Sequence, residues 1–326
     1  MRIRVFYHDK CFDGACSASL FSRFYRERIR EDVEFVFTGL AHRAGRLFDE
    51  SKFDGDENAI VDFKYSNSPK ITWWFDHHQS AFLTPEDAAH FEQQQSNKKF
   101  YDPDFKSCTK FIATIAESRF GFNSGPVTEL VEWADIIDGA QFPDSRTAVE
   151  MRAPAMQLTM IIEATQDHTF LPRLIPLLTQ KPLAEIVREP FVAPLLPPLL
   201  ERHQRSIEIL RERAQCKDGT VFFDVTDQEL EGYNKFIPYY LNPGCLYSVG
   251  LSKSSFRTKV SVGSNPWTAA DNLVNLAEIC ERYGGGGHAR VGAISFEPNQ
   301  FEKARNAAEE IVAELRASYL RDYQPS

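Results

Sequence analysis

Apolar and polar positions divide the chain into two stretches of repeating strand and helix. Residues 3–7 (Ile-Arg-Val-Phe-Tyr) are rich in β-branched and aromatic types, and residues 15–30 carry an apolar helical face through Ala18, Phe21 and Tyr25. The unit then repeats. Residues 33–39 are strand-like, residues 58–63 form a short apolar run containing Asp62, and residues 71–75 form another that leads into Asp76. Helical patterns follow at 85–95, 108–119 and 127–137. Such alternation predicts an α/β fold with a doubly wound, mostly parallel sheet, whose ligands bind at the carboxyl ends of the strands. His8, Asp62 and Asp76 fall at those ends.

Prolines are frequent from 172 to 198, which predicts irregular structure there, followed by a charged helix over 199–214. Beyond it, residues 220–225, 246–253, 258–262 and 291–296 read as strands, and 269–283 and 300–320 as helices. The last helix carries apolar residues at Phe301, Ala304, Ala308, Ile311 and Leu315. The expected organisation is a larger α/β domain over 1–190, a linker helix over 191–217, and a smaller α/β domain with a mixed sheet over 218–326.

Composition narrows the classes. At 326 residues the chain is long enough for two domains, each with its own core, and 43% hydrophobic with 25% charged residues is an ordinary globular balance. The N-terminal MRIRVFYHD enters a strand pattern with no apolar leader, so a cytoplasmic location is expected, and no run approaches the roughly 20 apolar residues of a membrane span. Six cysteines show no CxxC pair and read as reduced thiols. A net charge of −9 argues against a broad basic surface for long duplex nucleic acid, while a small anionic substrate gripped locally remains compatible.

Three places combine His and Asp at strand ends: His8-Asp9 with Asp13, Asp62, and Asp76-His77-His78. Carboxylates with imidazoles suit divalent manganese, iron or zinc better than calcium. A carboxylate shared by two ions can stabilise both the attacking and the leaving oxygen of a phosphoryl displacement. Any one of these segments alone also reads as a helix cap or surface hydrogen bond. The tandem His77-His78 is more telling, because neighbouring side chains in a strand point to opposite faces and can do different jobs.

FDHH at 75–78 resembles the signature of the DHH phosphoesterase family, which includes RecJ-like exonucleases, oligoribonucleases acting on very short RNA, and cyclic-dinucleotide phosphodiesterases. YHDKCFDGACSAS at 7–19 resembles that family's first motif, VDF at 61–63 its second and WADIIDGAQF at 133–142 its fourth, in the expected order. The resemblance implies that Asp62 bridges two metals, with His8 on one side and Asp13 and His77 on the other. The fourth-motif ligand is Asp135, slightly favoured by its place after a helix, or Asp138, which precedes Gly139-Ala140. Asp76 would orient His77, and His78 would contact the phosphate or leaving-group oxygen. The first motif departs from the commonest pattern, with Cys11 where an aspartate is usual. Cys11 is thus either a softer ligand, an ordinary loop residue, or a position bypassed in favour of Asp9. The implied cofactor is one or two Mn²⁺ ions, with Mg²⁺, Fe²⁺ or Zn²⁺ as alternatives.

Near the far end, Gly284 to Gly287 followed by His288 and Arg290 reads as a loop whose backbone N–H groups and side chains could grip an anion. One such glycine is also expected as a helix cap. GGGGH resembles the substrate-binding motif of the domain that accompanies the DHH domain in one branch of the family, which implies substrate contacts from Gly285, Gly286, Gly287, His288 and Arg290. Arg257, on a basic strand with Lys253 and Lys259, either meets a further phosphate or faces solvent. The expected activity is hydrolysis of a small nucleotide or short oligonucleotide ester presented across a cleft, with a phosphoanhydride such as polyphosphate, or a non-catalytic binding role, as alternatives. A homodimer is a possible assembly.

Overall fold

The computed structural model describes residues 1–42, 47–94, 96–228, 230 and 232–323. In chain order the elements are β1 (Arg2–His8), α1 (Phe12–Arg28), β2 (Glu34–Leu40), β3 (Glu57–Val61), β4 (Ile71–Asp76), α2 (Pro85–Gln94), β5 (Lys99–Tyr101), α3 (Cys108–Phe120) and α4 (Thr128–Asp138). There follow α5 (Ser145–Val149), α6 (Pro154–Ala164), α7 (Phe170–Leu178), α8 (Leu183–Ile186) and α9 (Leu196–Arg213). The chain closes with β6 (Gln215–Lys217), β7 (Thr220–Asp224), α10 (Ile237–Leu241), β8 (Tyr247–Lys253), β9 (Thr258–Ser264), α11 (Leu276–Glu281), β10 (Gly286–His288), β11 (Val291–Phe296) and α12 (Phe301–Tyr323). They form two compact units. The first takes residues 1–142 and 152–197, and the second takes 143–151 and 198 onward. No helix among the described residues is long and apolar enough to cross a membrane.

The first unit is built on a five-stranded sheet, order β2-β1-β3-β4-β5, parallel throughout. A parallel sheet must be covered on both faces, and β4 shows it: Trp73, Trp74 and Phe75 are all fully buried. Trp73 and Phe75 face α1 and α3, where Phe21 and Phe24 lie 5.8 and 5.9 Å from the Trp73 ring and Phe111 lies 6.2 Å from Phe75. Trp74 points to the other face, 5.2 Å from Phe91 of α2, and its indole N–H donates to the Phe63 carbonyl at 2.9 Å. Each such ring pair adds about 0.5–1.5 kcal/mol beyond its burial. The doubly wound parallel sheet anticipated from the alternating pattern is therefore present.

The second unit holds a six-stranded mixed sheet, order β10-β11-β9-β8-β7-β6, in which only β7 and β8 run parallel. Its core joins Val249 and Leu251 of β8 and Val260 and Val262 of β9 to Ala304, Ala308, Ile311 and Leu315, the apolar face read from the sequence of α12. Residues 143–151 belong here despite their place in the chain: Ala148 O accepts from Asn234 Nδ2 at 2.7 Å and Val149 O accepts from His203 Nε2 at 2.6 Å.

Two expectations fail locally. The proline-rich stretch is largely helical, because Pro172 occupies the first turn of α7, where no N–H bond is lost, and the Phe170, Leu171, Leu174, Ile175 and Leu178 face is buried. The helix expected over 269–283 is confined to α11, since Asn275 caps it by accepting from Ala277 N at 3.1 Å.

Gly14, in the first turn of α1, lets that turn meet the end of β1: a Cβ there would lie 2.2 Å from the His8 carbonyl oxygen. Gly14→Ala is therefore expected to lower stability by about 1–3 kcal/mol in urea denaturation. A midpoint equal to wild type would show that this approach is not required.

Candidate functional site

The sheet order reverses direction between β1 and β3, the place where a parallel α/β sheet opens a crevice beyond its strand ends. His8 ends β1, Asp62 follows β3, and Asp76 ends β4 with His77 and His78 directly after it. Asp13 comes from the first turn of α1 and Asp138 from the last turn of α4. Asp62 adopts a left-handed backbone (φ 56°), unusual for a non-glycine residue, with its N–H donating to the Phe75 carbonyl at 2.9 Å. That turn brings its carboxylate under both neighbouring strands.

The donor atoms converge on Asp62. His77 Nε2 lies 3.4 Å and His78 Nδ1 3.9 Å from Asp62 Oδ1, and His8 Nδ1 lies 3.6 Å from Oδ2. His77 Nε2 is also 3.3 Å from Asp138 Oδ2 and 3.8 Å from Asp13 Oδ2. Three overlapping groups, His8-Cys11-Asp62, Asp62-His77-His78 and Asp13-His77-Asp138, each offer ligand atoms within 4.8 Å of one another. Cys11 is thus brought into the cluster, whereas Asp9 turns to its own loop, accepting from Lys10 N at 3.0 Å.

The supporting bonds leave the convergent atoms unspent. His77 Nδ1 sits 3.1 Å from the Phe105 carbonyl, so the tautomer with hydrogen on Nδ1 donates there and leaves Nε2 as a lone pair. Both oxygens of Asp62, His77 Nε2 and His8 Nδ1 are buried without a hydrogen-bond partner. Such orphaned atoms are rare in folded proteins, and their mixture of imidazole and carboxylate fits a divalent transition metal. His8, Asp62, His77, Asp13 and Asp138, with Cys11, are the residues that could hold it. Asp13 is fixed by the N-terminus of α3, accepting from Cys108 N at 2.7 Å and Thr109 N at 3.0 Å.

Charges in the cluster oppose one another. Burial resists ionisation of His77, yet the Asp62, Asp13 and Asp138 carboxylates push it up to about 10. Burial and the Asp62 carboxylate raise Asp138 to about 6, and burial with Asp62 and Asp138 raises Asp13 well above the usual range. Burial also raises the Cys11 thiol, reinforced by Asp62, Asp13 and Asp138. Carboxylates this crowded gain from a cation among them.

Several details differ from the sequence reading. Asp76 does not orient the His77 ring; its Oδ1 accepts from His78 Nδ1 at 2.7 Å and from the His77 and His78 backbone N–H groups at 2.9 and 3.3 Å. Of the two fourth-motif aspartates, Asp138 reaches His77, while Asp135, one turn back on α4, accepts from Ser107 Oγ at 3.3 Å. His42 was not anticipated, since a lone loop histidine carries no spacing signal; its ring lies 5.0 Å from His8 and stacks on Phe63 at 4.8 Å.

The glycine-rich segment lies in the second unit and is an edge hairpin rather than an open loop, with β10 paired to β11. Gly284 (φ 77°) ends the helical turn, and a Cβ at Gly285 or Gly287 would lie 2.4 or 2.2 Å from a carbonyl oxygen of β11. Close packing thus accounts for Gly285 and Gly287, and the left-handed backbone for Gly284. Gly286 is unconfined, and His288 and Arg290 are exposed. Arg257, in the same unit, lies over the Phe256 ring at 5.1 Å and donates to Ser295 Oγ at 3.3 Å.

Asp138→Asn is expected to weaken Mn²⁺ binding, measured by titration calorimetry, by at least the roughly tenfold that loss of a supporting partner costs, with Asp135→Asn close to wild type. The reverse order would restore Asp135 as the ligand.

No family model matches the chain, and no curated protein matches it in sequence. Solved structures do. A pGpG-specific phosphodiesterase, PggH from Vibrio cholerae, superposes with a TM-score of 0.68 at 19% identity, covering 97% of this chain and 99% of that one. A member of the s1p family of ribosomal proteins with a DHH domain gives 0.59 at 13% identity, over 96% of this chain and 87% of the other. RecJ in complex with Mn²⁺ from Thermus thermophilus gives 0.53 at 14% identity, over 96% of this chain but 52% of RecJ. Over nearly its whole length, this chain has the fold of the DHH-type proteins.

Proposed function

We propose that the protein is a metal-dependent phosphoesterase acting on a small nucleotide or short oligonucleotide. The observation that carries this reading is the set of buried, unpartnered atoms of His8, Asp62 and His77 at three strand ends, which Asp13 and Asp138 approach from two helices of the same unit. Bound there, one or two divalent ions such as Mn²⁺ would supply Lewis-acid stabilisation and an activated water. The likeness to PggH and to Mn²⁺-bound RecJ supports the same chemistry.

The chain's own residues do the positioning. Asp62 offers one oxygen towards His8 and the other towards His77, which suits a carboxylate shared between two ions. His78, 35% exposed, is held by Asp76 through Nδ1, which leaves Nε2 to donate to a phosphate or leaving-group oxygen. Burial opposes its protonation, but Asp76 raises its pKa and favours the donating form. The exposed His288 and Arg290 of the second unit would contact substrate phosphates.

Asp62→Ala should abolish hydrolysis of a dinucleotide in Mn²⁺ buffer, with unchanged circular dichroism, and EDTA should silence the wild type until Mn²⁺ is restored. Full turnover by the variant would sink the mechanism.

A further inference from the structure

Cys11 stands at the N-cap of α1, between His8 at the end of β1 and Asp13 in the first helical turn. That position usually holds Ser, Thr, Asp or Asn, whose side-chain oxygen accepts from an N–H of the first turn. Cys11 has the extended backbone of a cap (φ −120°, ψ 134°) but makes no side-chain cap hydrogen bond, so its sulfur is not spent on the helix. Cys108 differs, its thiol donating to the Phe75 carbonyl at 3.4 Å. Local backbone geometry brings Cys11 to the cluster. Lys10 turns the chain through a left-handed conformation (φ 56°), and the close approach of Gly14 to the His8 carbonyl keeps the start of α1 against the end of β1. Asp9 goes the other way: its N–H donates to the Leu40 carbonyl at 2.8 Å, and its carboxylate lies against Gly39 of β2, where a Cβ would come within 2.7 Å of Asp9 Cγ.

The two sides of Asp62 differ in their donors. On one side are His8 Nδ1 and Cys11 Sγ, each within 4.8 Å of the other and of an Asp62 oxygen; on the other are His77 Nε2 and the carboxylates of Asp13 and Asp138. His8 Nδ1 lies 3.6 Å from Asp62 Oδ2 and His77 Nε2 lies 3.4 Å from Oδ1, so each oxygen of Asp62 serves one side. The neighbours of the sulfur point to a cation independently of it: Asp62 is 1% exposed, and both its oxygens and His8 Nδ1 are buried without a hydrogen-bond partner. Two carboxylates and an imidazole suit manganese. One sulfur, one nitrogen and one oxygen suit zinc, and three protein ligands are the number that leaves a catalytic zinc an open position.

We propose that Cys11 is a metal ligand and that His8, Cys11 and Asp62 form a zinc site, joined through Asp62 to an oxygen-rich site of Asp13, His77 and Asp138 that takes manganese. On binding, the Cys11 S–H bond gives way to a sulfur–metal bond and the proton leaves to solvent. The zinc site deepens the phosphoesterase reading and rests on it for the presence of the second ion.

Zinc outcompetes manganese at most protein sites, so metal preference alone decides nothing, and the test follows the sulfur–metal bond itself. The full chain, stripped of metal by a chelator and supplied with Mn²⁺, is titrated with Co²⁺ as a spectroscopic stand-in for zinc, and the thiolate-to-cobalt absorption band in the near ultraviolet is recorded. Wild type is expected to develop the band and an equimolar addition of Zn²⁺ to erase it, and Cys216→Ser, which alters an exposed thiol, is expected to behave likewise. Cys11→Ser, which keeps a good N-cap, is expected to lose the band and to bind Zn²⁺ at least about tenfold more weakly in titration calorimetry, with unchanged circular dichroism. Cys11→Asp gives the same spectral reading should the serine variant fail to fold. Absence of the band in wild type, its survival in both Cys11 variants, or its loss in Cys216→Ser overturns the zinc site. A chain that hydrolyses dinucleotides without showing the band keeps the phosphoesterase reading and loses the zinc site. One that shows the band, loses it with Cys11 and hydrolyses nothing does the opposite.

Discussion

The first unit is organised around a carboxylate that it cannot satisfy alone. Asp62 is 1% exposed, sits in a left-handed conformation, and has no hydrogen bond to either oxygen. Removing a carboxylate from water costs several kcal/mol unless opposite charge compensates. The imidazoles of His77 and His8, at 3.4 and 3.6 Å, pull its pKa below the usual range although burial pushes the other way. A divalent cation among the same atoms would answer that demand more completely, because it also relieves the repulsion from Asp13 and Asp138.

The sheet makes this placement possible. Parallel strands put several chain ends side by side, and the reversal of order between β1 and β3 opens the crevice there rather than elsewhere. Opposite faces of β4 anchor it: Trp73 and Phe75 lock α1 and α3, which carry and fix Asp13, while Trp74 locks the layer containing Phe63 against which His8 and His42 lie. Each ligand geometry is thereby tied to a core contact.

The two histidines illustrate how a local sequence is given separate tasks. The Phe105 carbonyl holds one ring with Nε2 turned to the carboxylates, and Asp76 holds the other with its remaining nitrogen free. The glycine-rich hairpin teaches the complementary lesson, for Gly285 and Gly287 are required by close backbone approach and Gly284 by its left-handed backbone before any ligand is considered.

By itself the sequence determined the alternating α/β layers, the strand ends at which His8, Asp62 and Asp76 stand, and the apolar face of α12, because these depend on short-range periodicity and burial. The mixed second sheet was legible for the same reason. Tertiary structure alone decided that Asp138 rather than Asp135 meets His77, that Asp76 serves His78, that Cys11 joins the cluster and that His42 stacks beside it. It also decided that residues 143–151 pack with the second unit and that a proline-rich stretch forms α7. Neighbours one helical turn apart, or far apart in the chain, cannot be ranked by spacing; which of them reaches a shared point depends on side-chain direction and on how the elements pack.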